Sequence, residues 1–128
     1  MITEIRPNLY LGGAEVDSDL LRNYGITSVI IVADNLAALP DHDGVKYIKI
    51  GLRKDRMNSP AVKDLACHIP KYLTQNGEKV LVVSETGLER AAYVVCRVIC
   101  ETEAKNIYEV MQELKEKIPE YDITKSYF

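Results

Sequence analysis

The sequence predicts an α/β fold in which a central, mostly parallel β-sheet is flanked by helices. Residues 26–33 form a continuous apolar run rich in β-branched side chains, and residues 78–83 end in the apolar run Val-Leu-Val-Val, the pattern of strands buried on both faces. Segments with helical start and stop signals alternate with these runs, which favours a sheet covered on both sides. The length of 128 residues and the hydrophobic content of 47% fit a single domain over residues 1–128.

The predicted strands are short and are bounded by turn-forming residues. Two short strands lie on either side of Pro7-Asn8, and the second of them ends at Gly12-Gly13. The other strands are predicted at residues 26–33, 45–52 and 78–83. Proline followed by asparagine is a typical turn pair, and residues 45–52 alternate as a half-buried strand does.

Helices are predicted from their end signals, at residues 16–25, 60–75, 91–101 and 104–117. Asp17 or Ser18 caps the first helix. Ser59 caps the second, and Pro60 follows at the first helical position, where proline is favourable. Pro70 is expected to kink the second helix because it cannot donate a backbone hydrogen bond.

Bulk composition gives no support to several classes of partner. The net charge of −3 gives no electrostatic argument for binding nucleic acid or an anionic membrane. The sequence has no apolar run long enough to span a membrane and no signal peptide, so a cytoplasmic location is expected. Cys67, Cys96 and Cys100 are interpreted as small buried residues in a reducing compartment, and neither a metal nor another cofactor is expected.

The leading candidate site is the segment Ser-Glu-Thr-Gly-Leu-Glu-Arg at residues 84–90, between strand 78–83 and the third helix. In α/β sheets, ligands bind beyond the carboxyl ends of the strands. Backbone N–H groups of such a turn and the positive end of the helix favour an anion. Gly87 permits backbone conformations that a Cβ would resist, and Arg90 could hold two oxygens. The segment therefore predicts a site for a tetrahedral oxyanion, with an ordinary strand–helix connection as the alternative.

The spacing within this segment resembles the His-Cys-x-x-Gly-x-x-Arg signature loop of cysteine-dependent phosphatases. Ser84 and Arg90 are separated by five residues, with Gly87 third among them. Other segments are similar to the dual-specificity branch of that superfamily, namely IRPNLYLGG with LLRNYGITSVIIVADN, VKYIKIGLRKD, and KEKIPEYDITKSYF. The resemblance covers nearly the whole chain. It implies a dual-specificity-phosphatase-like fold and metal-independent hydrolysis of phosphotyrosine and phosphoserine/threonine esters.

The resemblance also implies roles for individual residues. Ser84 stands at the position of the nucleophilic cysteine, Arg90 binds the phosphoryl oxygens and stabilises the transition state, and Asp55 stands at the general-acid position. The implied phosphate cradle consists of Ser84, Glu85, Thr86, Gly87, Leu88, Glu89 and Arg90. In that family a thiolate attacks phosphorus, and water hydrolyses the resulting cysteinyl-phosphate. The implied ligand of the loop is a phosphate-like anion, and the implied partner is a phosphorylated protein or peptide.

Three residues depart from the family pattern: Ser84, Val83 in place of the usual histidine, and Ala91 in place of a hydroxyl residue that often follows the arginine. The pKa of a thiol, about 8.5, can be lowered by nearby N–H groups and an arginine. A serine hydroxyl instead needs a base beside it. The chain with Ser84 is therefore expected to bind phosphate esters without turning them over.

Ser84 has two explanations. A cysteine-to-serine replacement is a common way to trap a substrate complex, whereas a natural pseudophosphatase would have lost the cysteine and kept the fold. Asp55 and Arg90 favour the first explanation, and Val83 favours the second. We interpret Ser84 as an introduced replacement in a phosphatase. A natural phosphoprotein-binding or scaffold module is the alternative, and an RNA end or an inositol lipid is a further candidate substrate.

Charged residues surround the predicted site. Glu85 and Glu89 are expected to face away from the loop interior and to brace Arg90 or Arg53, the alternative being two solvated acids near a helix start. Arg53, Lys54 and Arg56 form either a basic rim that guides a phosphorylated partner or an ordinary solvated loop.

Overall fold

The computed structural model describes residues 2–41, 43–122 and 127. Residues 123–126 and 128 of the closing segment, which carried part of the resemblance, lie outside the described residues. Within this part of the chain the strands are β1 (Ile2–Arg6), β2 (Leu9–Gly12), β3 (Ser28–Ile31), β4 (Lys46–Lys49) and β5 (Val80–Val83). They form a sheet of order β1-β2-β5-β3-β4. Only the β1–β2 pairing of these strands is antiparallel, which confirms the predicted mostly parallel sheet.

The described helices are α1 (Ser18–Tyr24), α2 (Pro60–Gln75), α3 (Arg90–Glu103) and α4 (Ile107–Lys117). Of the two caps predicted for α1, Asp17 is the one used, since its side chain accepts a hydrogen bond from the backbone N–H of Leu20 at 2.9 Å. The Ser59 side chain accepts from the N–H of Val62, as predicted for α2. These caps satisfy backbone donors that helix geometry leaves unpaired.

The boundary between α3 and α4 differs from the prediction. Residue 104 was expected to begin the last helix, but Ala104 has φ 53° and ends α3, with its N–H bonded to the carbonyl of Cys100. Asn106 then caps α4 by accepting a hydrogen bond from the N–H of Tyr108 at 2.8 Å. Alanine is the best helix former, and the left-handed conformation is unfavourable for it, so no local signal predicted this break.

The helices cover both faces of the sheet, as predicted. Leu9, Ile30 and Val82 face the larger core with α2, α3 and α4, whereas their neighbours Tyr10, Val29 and Leu81 face Leu21 of α1. Strands β3 and β5 are buried along their whole length because successive side chains enter opposite cores. No helix of the described residues is long and apolar enough to cross a membrane.

The parallel arrangement of β2, β5, β3 and β4 brings the segments after these strands to one edge of the sheet. Ser84 follows β5, Gly13 follows β2, Asp34 and Asn35 lie beyond β3, and the segment from residue 50 follows β4. The candidate site is built where these segments meet.

Candidate functional site

Ser84 lies at the base of the candidate loop, directly after β5, and is only 2% exposed. Its Oγ accepts a hydrogen bond of 3.1 Å from the backbone N–H of Ala91. Ala91 is the second residue of α3, so this donor is among the N–H groups that a helix leaves unpaired at its start. An atom at the position of the Ser84 Oγ therefore experiences both a hydrogen-bond donor and the positive end of α3.

Gly87 shapes the loop through its conformation and its surroundings. Its φ is 79°, which L-residues rarely adopt, and a Cβ added there would lie 2.8 Å from the carbonyl oxygen of Gly12. The loop is joined to the same segment by the N–H of Ala14, which donates to the carbonyl of Glu85 at 3.1 Å. The Thr86 Oγ1 accepts from the N–H of Leu88 at 3.1 Å. Gly87 is thus required because the loop packs directly on backbone that follows β2.

A cavity of about 50 Å³ opens within the loop, enough for a few water-sized groups. Its lining residues are Lys54, Ser84, Glu85, Thr86, Glu89 and Arg90. A larger cavity of about 370 Å³ lies on the α1 side of the sheet and is lined mainly by apolar side chains. Asp17, a carboxylate in that larger lining, is engaged in capping α1. We therefore place the candidate site at the smaller cavity.

Arg90 is buried, with its side chain 3% exposed, and its guanidinium is held by groups from two other segments. Nη1 donates to the carbonyl of Leu52 at 2.9 Å and to Asp34 Oδ1 at 3.2 Å. Nη2 donates to Asn35 Oδ1 at 3.1 Å. A buried charge requires such partners, and Asp34 supplies the compensating negative charge.

Sequence reasoning missed the roles of Asp34, Asn35 and the Leu52 carbonyl. A signal was present for the first two, because Asp34 and Asn35 directly follow the apolar run 26–33 and must emerge at the same sheet edge as Ser84. The carbonyl of Leu52 leaves no sequence signal, since any residue could provide it.

Glu85 contacts several neighbours around Arg90. Its Oε2 accepts from Asn35 Nδ2 at 2.7 Å and lies 4.0 Å from Arg90 Nη2, while Lys54 Nζ is 3.7 Å from Oε1. The hydrogen bond from Asn35, followed by the charge of Lys54, lowers the pKa of this carboxyl below its ordinary value. Glu85 thus contacts Arg90, as expected, and pairs with Lys54 rather than with Arg53.

Glu89 is half-buried and takes the position immediately before α3 without a side-chain hydrogen bond to the helix end. Its backbone carbonyl accepts from the N–H of Tyr93 at 2.8 Å.

Asp55 lies in the loop of residues 53–58, and its carboxylate is exposed. Oδ2 is 2.6 Å from Arg53 Nη2, and Oδ1 accepts from the Arg53 Nε at 3.1 Å and from the N–H of Met57 at 2.9 Å. These bonds, the one to Arg53 above all, lower the pKa of Asp55 below its ordinary value. The neighbouring Lys54 lines the cavity whereas Asp55 does not. Ser84 and Arg90 thus line the same cavity. A general-acid role for Asp55 stays a prediction.

The chain is similar in sequence to curated dual specificity protein phosphatases. No protein-family profile matches the chain. The dual specificity protein phosphatase 12 of Rattus norvegicus is 33% identical over 123 residues, which cover 88% of this chain and 35% of that protein. The chain therefore spans about a third of the length of this curated relative.

Solved structures show the same fold. Human DUSP28 superposes with a TM-score of 0.83 at 20% identity, covering 99% of this chain and 90% of that chain. A human tyrosine phosphatase-like serine/threonine/tyrosine-interacting protein superposes with a TM-score of 0.81 at 21% identity, covering 98% and 89%. The fold is that of the dual-specificity phosphatases. Together with the sequence similarity, this fold confirms the resemblance to the dual-specificity branch of the protein tyrosine phosphatase superfamily that the signature loop indicated.

Proposed function

We propose that this chain is a phosphate-monoester-recognising domain of a dual-specificity phosphatase, acting on phosphotyrosine and phosphoserine/threonine residues of proteins or peptides when a cysteine occupies position 84. The observation that carries the proposal is the contact between the Ser84 Oγ and the N–H of Ala91 at the start of α3. That contact puts a side-chain atom of residue 84 at the point of the loop best suited to stabilise negative charge.

A thiol at position 84 would use this geometry for nucleophilic catalysis. The N–H of Ala91 and the positive end of α3 favour the thiolate over the thiol. The thiolate sulfur attacks phosphorus, the bond from phosphorus to the leaving oxygen breaks as Asp55, the predicted general acid, protonates that oxygen, and a cysteinyl-phosphate forms. Water then cleaves the S–P bond and releases inorganic phosphate. Backbone amides of the loop and Arg90 stabilise the charge on the equatorial oxygens.

The serine present at position 84 supports binding rather than turnover. A serine hydroxyl reaches useful nucleophilicity only with an adjacent general base. Among the residues that the structure describes, none lining the cavity is a histidine, and Lys54 and Glu85 lie 3.7 Å apart as a charge pair. We therefore expect the chain with Ser84 to bind phosphate-like anions and phosphopeptides without hydrolysing them. We attribute Ser84 to an introduced replacement of the nucleophile, and the codon in the source gene tests that attribution.

A natural pseudophosphatase that binds or scaffolds phosphoproteins is the second candidate function. The observation that favours it is the pairing of a serine at position 84 with a buried arginine, because Ser84 has no activating histidine among the described lining residues, whereas Arg90 and the N–H of Ala91 can still bind an anion. A solved protein with the same fold is, by its name, a phosphatase-like interacting protein, so the fold is compatible with such a role.

The deciding experiment compares Ser84→Cys with Ser84→Ala in the hydrolysis of p-nitrophenyl phosphate, with a chelator present. We expect turnover that vanadate inhibits in the cysteine variant and none in the alanine variant. If Ser84→Cys is folded and inert, the phosphatase proposal fails. Phosphopeptide binding by the unchanged chain that is lost in Arg90→Ala would then support the binding module.

A further inference from the structure

Tyr127, close to the end of the chain, bonds to the loop of residues 53–58. Its hydroxyl donates to the carbonyl of Arg53 at 2.6 Å, and Asn58 Nδ2 donates to the same hydroxyl. The Asn58 Oδ1 accepts from the N–H of Arg53 at 2.8 Å. Asn58 and Tyr127 therefore hold both backbone polar groups of Arg53. Tyr127 is only 5% exposed, and a buried hydroxyl requires hydrogen-bond partners of this kind.

The ring of Tyr127 is also fixed between the loop and α3. Its centroid lies 5.3 Å from that of Tyr93, which belongs to α3, at an interplanar angle of 59°. The guanidinium carbon of Arg56 lies 5.8 Å from the Tyr127 centroid. Tilted ring pairs and arginine–ring contacts at these distances are attractive. The Tyr127 hydroxyl is thus held in place by packing against the helix that begins with Arg90.

The backbone that Tyr127 holds carries several groups of the candidate site. The carbonyl of Leu52 accepts from Arg90, the side chain of Lys54 lines the cavity, and the side chain of Arg53 pairs with Asp55. A shift of the Arg53 backbone would displace these groups together, because they belong to consecutive residues.

We propose that Tyr127 is a positioning residue of the site, and that its hydroxyl fixes the Arg53 backbone and so sets the positions of Lys54 and Asp55. The catalytic consequence rests on the proposed phosphatase function. The effect of Tyr127 on the Arg53 backbone does not depend on that function. The structural and the catalytic consequences are therefore tested separately.

The structural test is hydrogen exchange on the unchanged chain and on Tyr127→Phe. The N–H groups of Arg53, Arg56 and Met57 donate within this loop, and we expect their exchange to accelerate roughly tenfold when the hydroxyl is removed. Tyr93→Phe is the matched control, since it removes a hydroxyl from the packed ring partner that accepts from Arg97 instead. Unchanged exchange at these amides in Tyr127→Phe, or an equal change in both variants, overturns the proposal.

The catalytic test uses the Ser84→Cys background and compares phenyl phosphate with p-nitrophenyl phosphate. Phenolate is the poorer leaving group and depends more on protonation by a positioned acid. We expect Tyr127→Phe to lower kcat/KM about tenfold for phenyl phosphate and less than about twofold for p-nitrophenyl phosphate. Equal losses on both substrates overturn the link between Tyr127 and proton donation. If Ser84→Cys is inert, the proposed function fails, and the exchange result alone decides whether Tyr127 positions the loop.

Discussion

Asp34 and Arg90 form an ion pair, with 3.2 Å between Asp34 Oδ1 and Arg90 Nη1, that joins the segment after β3 to the first residue of α3. The arginine of this pair is buried, whereas the Asp34 side chain is 49% exposed. A phosphate that enters the loop must share the guanidinium with this carboxylate. The pair therefore holds Arg90 in place and also competes with the ligand.

Asp34→Asn is expected to strengthen the binding of inorganic phosphate by about three- to tenfold, because a competing negative charge is removed while the amide oxygen can still accept from Arg90. Isothermal titration on the chain with Ser84 measures this directly. Asp19→Asn is the control, because it also removes one negative charge but from an exposed ion pair with Arg22 on α1. It should leave the phosphate affinity unchanged. Weaker binding in Asp34→Asn would mean that the ion pair serves the ligand rather than competing with it.

Gly87→Ala is expected to lower the free energy of unfolding by roughly 3 kcal/mol and to abolish phosphate binding, because the left-handed conformation and the contact with the Gly12 carbonyl are both violated. Gly25→Ala separates the two effects. Gly25 also has a positive φ, 69°, but a Cβ there would meet only the flexible side chain of Lys79 at 3.5 Å or more. We expect Gly25→Ala to lower the free energy of unfolding by about 1 kcal/mol and to retain phosphate binding. Urea unfolding and titration give both quantities, and similar costs at the two positions would contradict this account.

In Ser84→Cys, the introduced thiol is expected to react with iodoacetamide near neutral pH, with an apparent pKa below the ordinary value of about 8.5. The native cysteines provide an internal comparison. Burial raises the pKa of the Cys67 and Cys96 thiols to about 12, so they should remain unmodified under the same conditions. Mass spectrometry of peptides after timed alkylation measures the rates at each position. A thiol at position 84 that reacts no faster than Cys67 would remove the basis of the thiolate mechanism.

Arg6→Met is expected to reduce the loss of stability at acid pH. Arg6 bonds to Glu103 and Glu113, and these hydrogen bonds lower the pKa of both carboxyls below the ordinary value of 4.5. A lowered pKa in the folded state contributes stability that is fully present above about pH 4.5 and is lost as the pH falls through the lowered value. The difference in unfolding free energy between pH 7 and pH 3 should therefore be smaller in Arg6→Met.

Arg22→Met, which breaks an exposed pair with Asp19, is the control for this pH dependence. Surface pairs of that kind contribute little, so its pH dependence should match that of the unchanged chain. If Arg6→Met loses as much unfolding free energy between pH 7 and pH 3 as the unchanged chain does, the groups responsible are not Glu103 and Glu113.

The sequence predicted the parts of the site that depend on local chemistry. The predicted strand 78–83, the glycine at 87 and the arginine at 90 lie within a single strand–turn–helix unit, and this unit forms as predicted. The position of Asp34 after the run 26–33 indicated the sheet edge, but its pairing with Arg90 depends on β3 lying beside β5. The position of Tyr127 left no local signal, because it depends on packing against Tyr93. The direct pairing of Asp55 with Arg53 depends on the conformation of loop 53–58, in which Arg56 has φ 67°.

The contact of Gly87 with Gly12 also has a consequence for how the site comes into being. The N–H of Ser84 donates to the Gly12 carbonyl, and the N–H of Ala14 donates to the Glu85 carbonyl, so the loop takes its shape against a segment about 70 residues earlier in the sequence. Contacts between segments so distant in the chain form only after a large loss of chain entropy. An excised peptide of residues 78–103 would contain every residue of the loop and would still lack a formed site. During synthesis, the cavity can therefore form only after β5 and the start of α3 have joined the N-terminal strands.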